Sequence, residues 1–571
     1  MDNSSKRVSI LYPTHISADY HIVSEVSLHD LGMDSFVKDL TDSETEQKAI
    51  LKILSKITDN ADVCGFRAGV FDDIYKNPSM CENMTALLDK VDFLKEYGSL
   101  KKKYDENVGV WELLHNLEEL NEYIGYVEAL YKCLDEADIH SDGLILLKEH
   151  IEKIYHDNGY DALKKDIARL KASTDNLKSV TVGINLNDRF EAESLGLISL
   201  NRQPFLKSNI LGEFYDKISS KDKINDDTSW DENYKYHQVK PGSDTGFLEE
   251  TARFTVAARN PLLYAGLASV PSADSSQDIK RYMNREATHL LSFTVRNLRE
   301  TLSRYLNVTI TDVTDLIPEF MFYIRFADRI RKLEKKGMSF VRPVALKREP
   351  FSRKMHARGI YNIKLIDAAI KNNGTIVKND LDFDEDKIVY ILTGANRGGK
   401  TTITQAVGQL FLLSQNGIYV PGDGFEYEPV DNIFTHFPAD EDKTLDLGRL
   451  GEECKRFREI FFEATGKSLI LLNETFSTTS FEEGYYIAHD SVNAIADKKI
   501  RAIYNTHMHK LAFEMTKDES DKNIIRSLII RSDGEENAFK IAVSKPEGQS
   551  YAQSIAKRYG VTYESLMGEK P

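Results

Sequence analysis

Apolar residues recur at helical spacing through the first third of the chain. Ile50, Ile53, Leu54 and Ile57 form one such stripe, and Trp111, Leu114, Leu117, Leu120 and Ile124 form another. Glycine and proline are sparse from Ser43 to about Ala172, so the pattern predicts long helices there. The period then changes. Val180 to Ile184 alternates as a strand would, and Asn185, Asn187 and Asp188 follow as turn residues. Ser219 to Gly246 is polar and predicts a loop or linker, with a clamp-like insertion spanning about 180–250. Helical spacing resumes near Ser276. One stripe runs through Ala287, Leu291, Val295, Leu298, Leu302 and Tyr305, and another through Phe320, Ile324, Ala327, Ile330 and Leu333. Stripes of this kind are usually core packing. Beyond Pro350 short apolar runs at Ile388–Leu392, Ser468–Leu472 and Ile500–Tyr504 alternate with helical segments, which predicts an α/β domain. The expected division is therefore a mostly helical region over 1–345 and an α/β region over 346–571.

Length and composition narrow the class. A chain of 571 residues suggests roughly three or four folding units. Hydrophobic residues make up 41% and charged residues 29%, as in ordinary globular proteins, and no apolar run approaches a membrane span. Met1 to Pro13 lacks the basic-then-apolar order of a secretion signal, so an intracellular, cytoplasmic protein without membrane contact is expected. Cys64, Cys81, Cys133 and Cys454 are scattered and read as reduced thiols. The net charge of −16 argues against a general affinity for nucleic acid. Its distribution is uneven: 278–358 holds 18 Lys/Arg against 9 Asp/Glu. Those cations either meet phosphate backbones or pair with acidic neighbours inside the fold.

The chemistry concentrates after the run Ile388–Leu392. The next residues are Gly394, Ala395, Asn396, Arg397, Gly398, Gly399, Lys400 and Thr401, which fit G-x-x-x-x-G-K-[ST], and Thr402 follows. Glycines let the backbone curl so that its N–H groups converge on phosphate oxygens, and the following helix adds the positive end of its dipole. Lys400 is then placed for the β and γ phosphates and the Thr401 hydroxyl for Mg²⁺. A second buried run, Ser468–Leu472, ends in Asn473 and Glu474; the carboxylate is placed to orient or deprotonate an attacking water. A third, Ile500–Tyr504, leads through Asn505 and Thr506 to His507, a candidate γ-phosphate sensor. His509 reads as a bystander.

These residues resemble the MutS family of DNA mismatch-repair ATPases. Thr393 to Thr402 is similar to the family's TGPNMGGKST loop. Asn379-Asp380, Tyr419 to Pro421, Ile433 to Thr435, Ser468 to Glu474, Thr479-Ser480 and Thr506-His507 fall where the family has equivalents. Lys545 to Tyr551 with Ile555-Ala556 resembles its C-terminal dimerisation segment. Phe340 to Pro343 resembles the junction of lever and ATPase, and Val70 to Pro78 the start of the lever. The resemblance is close over about 380–560. It implies an ABC-type P-loop ATPase that uses ATP and Mg²⁺, works as a homodimer, and clamps double-stranded or branched DNA, with other repair proteins as further partners. It further implies that Ile376 contacts the adenine, that Gly448 and Arg449 lie in a signature segment serving the partner's site, and that Thr401, Asn473 and Glu474 surround the metal. Asn473 stands where the family has Asp, and Gly448-Arg449 where it has Ser-Thr. No Phe-x-Glu occurs in the first 240 residues, so direct mismatch reading is not expected, and neither is a nuclease domain after the dimerisation-like segment. The alternative ligand is a non-DNA assembly such as the ribosome. A generic ABC-type motor is disfavoured by the lack of an LSGGQ sequence.

Overall fold

The computed structural model describes residues 8–85, 110–174, 179–186, 192–201, 296, 298, 300–302, 316–349, 352–372, 374–394, 398–438, 448–517, 524–531, 538–546 and 559–568. Two compact units emerge. One comprises Met1–Leu88, Lys132–His150 and Asp312–Pro571; the other comprises Asp89–Tyr131 and Ile151–Thr311. The change of periodicity near residue 345 therefore falls within the first unit, not between the two.

In the first unit, helix α1 (Ala61–Lys76) starts where the Asn60 side chain accepts from the backbone N–H groups of Asp62 and Val63, a capping arrangement that satisfies two orphan donors. Helix α2 (Ile317–Glu334) opens with Pro318, whose missing N–H costs nothing in the first turn. The predicted stripe of α2 is the buried one: Phe320, Ile324, Ala327, Ile330 and Leu333 are all in the core. The stripe near Ile50 ends differently. Its helix stops at Leu54, and buried Ile57 belongs to a short strand paired with His21.

The site is carried by a six-stranded sheet. Strand β1 (Val389–Gly394) is central, followed along the chain by β2 (Ile433–His436), β3 (Leu469–Asn473), β4 (Arg501–Asn505), β5 (Ile525–Ile530) and β6 (Ile541–Val543). Their spatial order is β2-β3-β4-β1-β5-β6. The first five are parallel and β6 is antiparallel to β5. Strands β1, β3 and β4 are buried at every position, as expected of continuous apolar runs covered on both faces. Helix α3 (Lys400–Gln415) leaves the end of β1 and packs across β3, β4 and β1. Helices α4 (Gly448–Glu463), α5 (Phe481–Asp497) and α6 (His509–Met515) follow β2, β3 and β4 respectively. Ile460 of α4, Tyr485, Ala488 and Val492 of α5, and Leu511 and Ala512 of α6 join one hydrophobic core with Ile391, Ile470 and Tyr504.

Helix α3 is also fastened on its other side. Gln405 donates to the carbonyl of Asp30 (2.7 Å), Gln409 to Leu31 (2.8 Å), Gln415 to Thr58 (2.8 Å) and Asn416 to Leu54 (2.9 Å). Arg67 of α1 is fully buried and reaches the carbonyls of Leu11 and Gln415, each at 2.8 Å. Buried polar groups of this kind are tolerated only when paired, so they fix the register of the N-terminal segment on α3.

The second unit contains most of a long helix (Val110–Glu136) and a helix over Asn158–Thr174. Leu117, Leu120 and Ile124 bury the predicted face, and Tyr160 donates to the carbonyl of Ile124 at 3.1 Å. The strand expected at Val180 is Ser179–Leu186, antiparallel to Ala192–Asn201. Asn185 lies in the strand rather than the turn; Asn187, Asp188, the polar stretch 219–246 and most of the stripe from Ala287 lie outside the described residues. Cys64, Cys81 and Cys133 are buried free thiols. Among the described residues no helix is long and apolar enough to cross a membrane.

Candidate functional site

Strands β1, β3 and β4 all end at the same edge of the sheet, because parallel neighbours in register bring their carboxyl ends level. At the end of β1, Gly394 has φ +148°, and a Cβ there would lie 2.7 Å from the carbonyl oxygen of Ile530. Only glycine fits. Gly399 has φ +91° and caps the start of α3, where a side chain would be strained. Ala395, Asn396 and Arg397 lie outside the described residues. Gly398, Gly399, Lys400, Thr401 and Thr402 line a cleft of about 450 Å³ together with Glu474 and His507. The loop, the carboxylate and the histidine expected from sequence are thus brought to one cavity.

Lys400 is 5% exposed and its ammonium donates to the carbonyl of Gly394 at 3.0 Å, bridging the loop it closes. Burial pulls its pKa below the ordinary lysine value, while the nearby Glu474 carboxylate opposes that shift. Thr401 donates its hydroxyl to Oδ1 of Asn473 at 2.9 Å. Asn505, at the end of β4, donates Nδ2 to the same Asn473 oxygen. Sequence reading missed Asn505; only the adjacency of β3 and β4 could have signalled it.

Glu474 follows β3 in the left-handed region at φ +52°, held there by its N–H donating to the carbonyl of Asn505 at 2.8 Å. Strain of that kind persists only where neighbours over-determine the backbone. Its carboxylate meets Nε2 of His507 at 2.7 Å. That hydrogen bond is the largest influence holding the carboxyl below the usual glutamate range; the positive charge on Lys400 adds to it, and burial opposes both. Thr506 ties β4 back to β1 through its N–H and the carbonyl of Leu392 (3.0 Å). His509 is not remote: burial lowers its imidazole pKa, with His507 and Lys400 acting in the same direction.

A second cavity of about 410 Å³ shares Gly399 and Thr402 with the first. Its wall is mostly apolar and includes Ile376, Tyr361, Ile403, Ile530 and Phe539. Asn379, the buried residue expected upstream of the loop, builds this wall: it donates to the carbonyl of Phe539 at 3.2 Å and accepts from the N–H of Ile541 at 2.8 Å. Polar and apolar cavities meeting at a helix N-terminus can take a ligand with an anionic end and a flat apolar end. Gly448 begins α4, and Arg449 follows it; the side-chain placement of that pair lies outside the described residues.

The basic segment is disposed differently from the cleft residues. Over 316–358, Arg325 pairs with Glu46, Arg329 with Asp367, Arg342 with Asp72, Lys347 with Asp62, and Arg358 with Asp382. The described cations of this stretch are thus largely taken up by acidic neighbours within the unit.

An α/β sheet with a glycine loop, a buried lysine and a carboxylate at one edge defines the class. Comparison with known proteins carries it further. Residues 390–567 match the model of MutS domain V, the ATPase domain of the MutS family, and residues 59–336 match the model of the MutS2 N-terminal domain. The chain belongs to the MutS family. It is 27% identical over 230 residues to a DNA mismatch repair protein MutS of Prochlorococcus marinus, covering 40% of this chain and 25% of that protein. It is 31% identical over 206 residues to the MutS of Caldanaerobacter subterraneus subsp. tengcongensis, covering 34% and 24%. An Endonuclease MutS2 of Thermus thermophilus is 27% identical over 193 residues, covering 33% and 25%. The match thus spans about a quarter of the length of each of these relatives.

Proposed function

We propose that the chain is an ABC-type P-loop ATPase that works as a homodimeric clamp, its nucleotide state gating its hold on double-stranded or branched DNA in repair or recombination. One observation carries the reading: the glycine loop, Lys400, Glu474 and His507 line a single cleft at the N-terminus of α3. Lys400 and the α3 amides would hold the β and γ phosphates of ATP, and Ile376 and Phe539 would flank the base. The donor set near Thr401 suits Mg²⁺, since hydroxyl, amide carbonyl and carboxylate oxygens are the ligands a hard cation takes. Bound there, Mg²⁺ would neutralise charge on the transferred phosphoryl group. Glu474, kept anionic by His507, would orient and deprotonate the attacking water, and His507 would respond to loss of the γ-phosphate. Gly448 and Arg449 would complete the site of the partner subunit.

A second reading has the clamp close on a non-DNA assembly such as the ribosome. It is favoured by the internal pairing of basic residues over 316–358, which commits much of that stretch's charge to acidic neighbours. A binding panel of plain, mismatched and branched duplexes and of ribosomes, with and without ATP and across a salt series, separates the two. Binding to DNA that is ATP-dependent and falls steeply with salt supports the first reading; ATP-dependent binding to ribosomes alone replaces it.

A further inference from the structure

Asn473 presents a difficulty that a carboxylate would not. A carboxylate offers oxygen on both sides, whereas an amide offers oxygen on one side and an NH₂ donor on the other. Turned the wrong way, Asn473 would direct hydrogens at a cation and would compete for the lone pairs of Thr401. The observed orientation avoids this: Oδ1 of Asn473 accepts from the Thr401 hydroxyl at 2.9 Å and from Nδ2 of Asn505. With its proton committed to Asn473, and no more than a long contact from Asn505 Nδ2 to accept, the Thr401 oxygen keeps a lone pair for a metal. Asn505 Nδ2 also stands 3.5 Å from the Thr401 oxygen, so all three side chains converge. Asn505 itself is 0% exposed, and its Oδ1 has no hydrogen-bond partner among the described residues. Leaving one end of a buried amide unsatisfied is costly, and a task for its other end would explain why the cost is tolerated.

We propose that Asn505 is a positioning residue of the metal seat, which turns the carbonyl of Asn473 toward Thr401 and so makes a carboxylate-free pair fit to hold Mg²⁺ with the nucleotide. The inference rests on the nucleotide-site reading above. It assigns to the end of β4 a role separate from the His507 contact two residues later.

The test uses the full chain and a fluorescent ATP analogue, titrated with Mg²⁺ and, separately, in EDTA. Asn505→Leu preserves bulk but cannot donate; Asn505→Ala, which also cannot donate, serves if the leucine variant fails to fold. Either should raise the Mg²⁺ concentration for half-maximal nucleotide binding about five- to tenfold, the scale of one lost hydrogen bond, with metal-free binding unchanged. In an Asn473→Asp background the same Asn505 change should have little effect, because a carboxylate has no wrong side. That rescue is what a merely structural role for Asn505 would not produce. An unchanged Mg²⁺ requirement, or an equal loss in both backgrounds, overturns the role of Asn505 alone. A wild-type chain that binds the analogue neither with Mg²⁺ nor in EDTA overturns the nucleotide site itself, and this inference with it.

Discussion

The two sides of the cleft are built on different principles. On the loop side the backbone sets the geometry: Gly394 and Gly399 take conformations closed to other residues, and Lys400 is braced on the loop's own Gly394 carbonyl. On the opposite side, where β2, β3 and β4 end, side chains hold side chains. Thr401 and Asn505 meet on Asn473, Glu474 meets His507, and His436 meets Thr475. A backbone cradle is rigid and indifferent to pH, so its failure is all-or-none. A side-chain network is adjustable and titratable, so it fails by degrees. If the cleft is the nucleotide site proposed above, the contrast would give holding of the anion to one side and control of chemistry to the other.

The strongest way to break this division is Lys400→Ala. Removing the buried ammonium should cut nucleotide turnover at least 100-fold, about 3 kcal/mol or more of transition-state stabilisation, with the melting temperature little changed. Turnover that persists at the wild-type rate in a phosphate-release assay would remove Lys400 from the chemistry. Next comes Glu474→Gln. Here turnover should fall roughly 100-fold while ATP binding survives, since the loop side is untouched. If binding and turnover fall together, the two sides are not separable and the contrast is wrong. Because His507 holds the Glu474 carboxyl below its ordinary range, the glutamate stays anionic through mildly acidic pH; loss of turnover from its protonation should begin only below the usual carboxylate range.

How much of this was legible beforehand follows the same line. The loop is eight contiguous residues whose roles are local, so spacing alone marked it. Glu474 and His507 were legible because each lies within three residues of the end of a buried apolar run, and strand ends in a parallel sheet are where ligands meet. Asn505, Phe539 and the His436–Thr475 pair were not, because each matters through a neighbour from another strand, and strand order is not written in local periodicity. The fastening of α3 on the N-terminal segment was equally hidden. Gln405, Gln409 and Gln415 read as ordinary helix residues, and a buried Arg67 contradicts what composition predicts of arginine.

The titratable character of the strand-end side is sharpened by His436. It is 2% exposed at the end of β2, with one ring nitrogen against the Thr475 hydroxyl (3.0 Å) and the other against the carbonyl of Glu453 in α4 (3.1 Å). Burial, with Arg456 second, lowers its pKa to about 4. The unfolded chain would bind a proton near pH 6.5, the folded one only near 4, so stability present above pH 6.5 is lost as pH falls through that window. The loss approaches about 2–3 kcal/mol. His436→Asn, which retains a donor and an acceptor but does not titrate, should show a shallower decline in urea-melt stability from pH 6.5 to 4. An unaltered pH slope would mean that His436 is protonated in the folded state and that this side of the cleft is less dry than its burial indicates.

The smallest effect belongs to the cavity proposed to take the base, which neither principle describes. Ile376 lies in an apolar wall with Tyr361 and Phe539, where a flat ring gains by burial rather than by directed bonds. Truncating it with Ile376→Ala removes a few methylenes' worth of contact, about 1 kcal/mol, so ATP should bind roughly fivefold more weakly. Inorganic tripolyphosphate, which has no base, should bind the variant and the wild type alike by calorimetry. That pairing isolates the cavity from the loop. Equal weakening of both ligands would mean that Ile376 shapes the loop through Gly399 and Thr402, the two residues the cavities share, and that base and phosphate sites move as one.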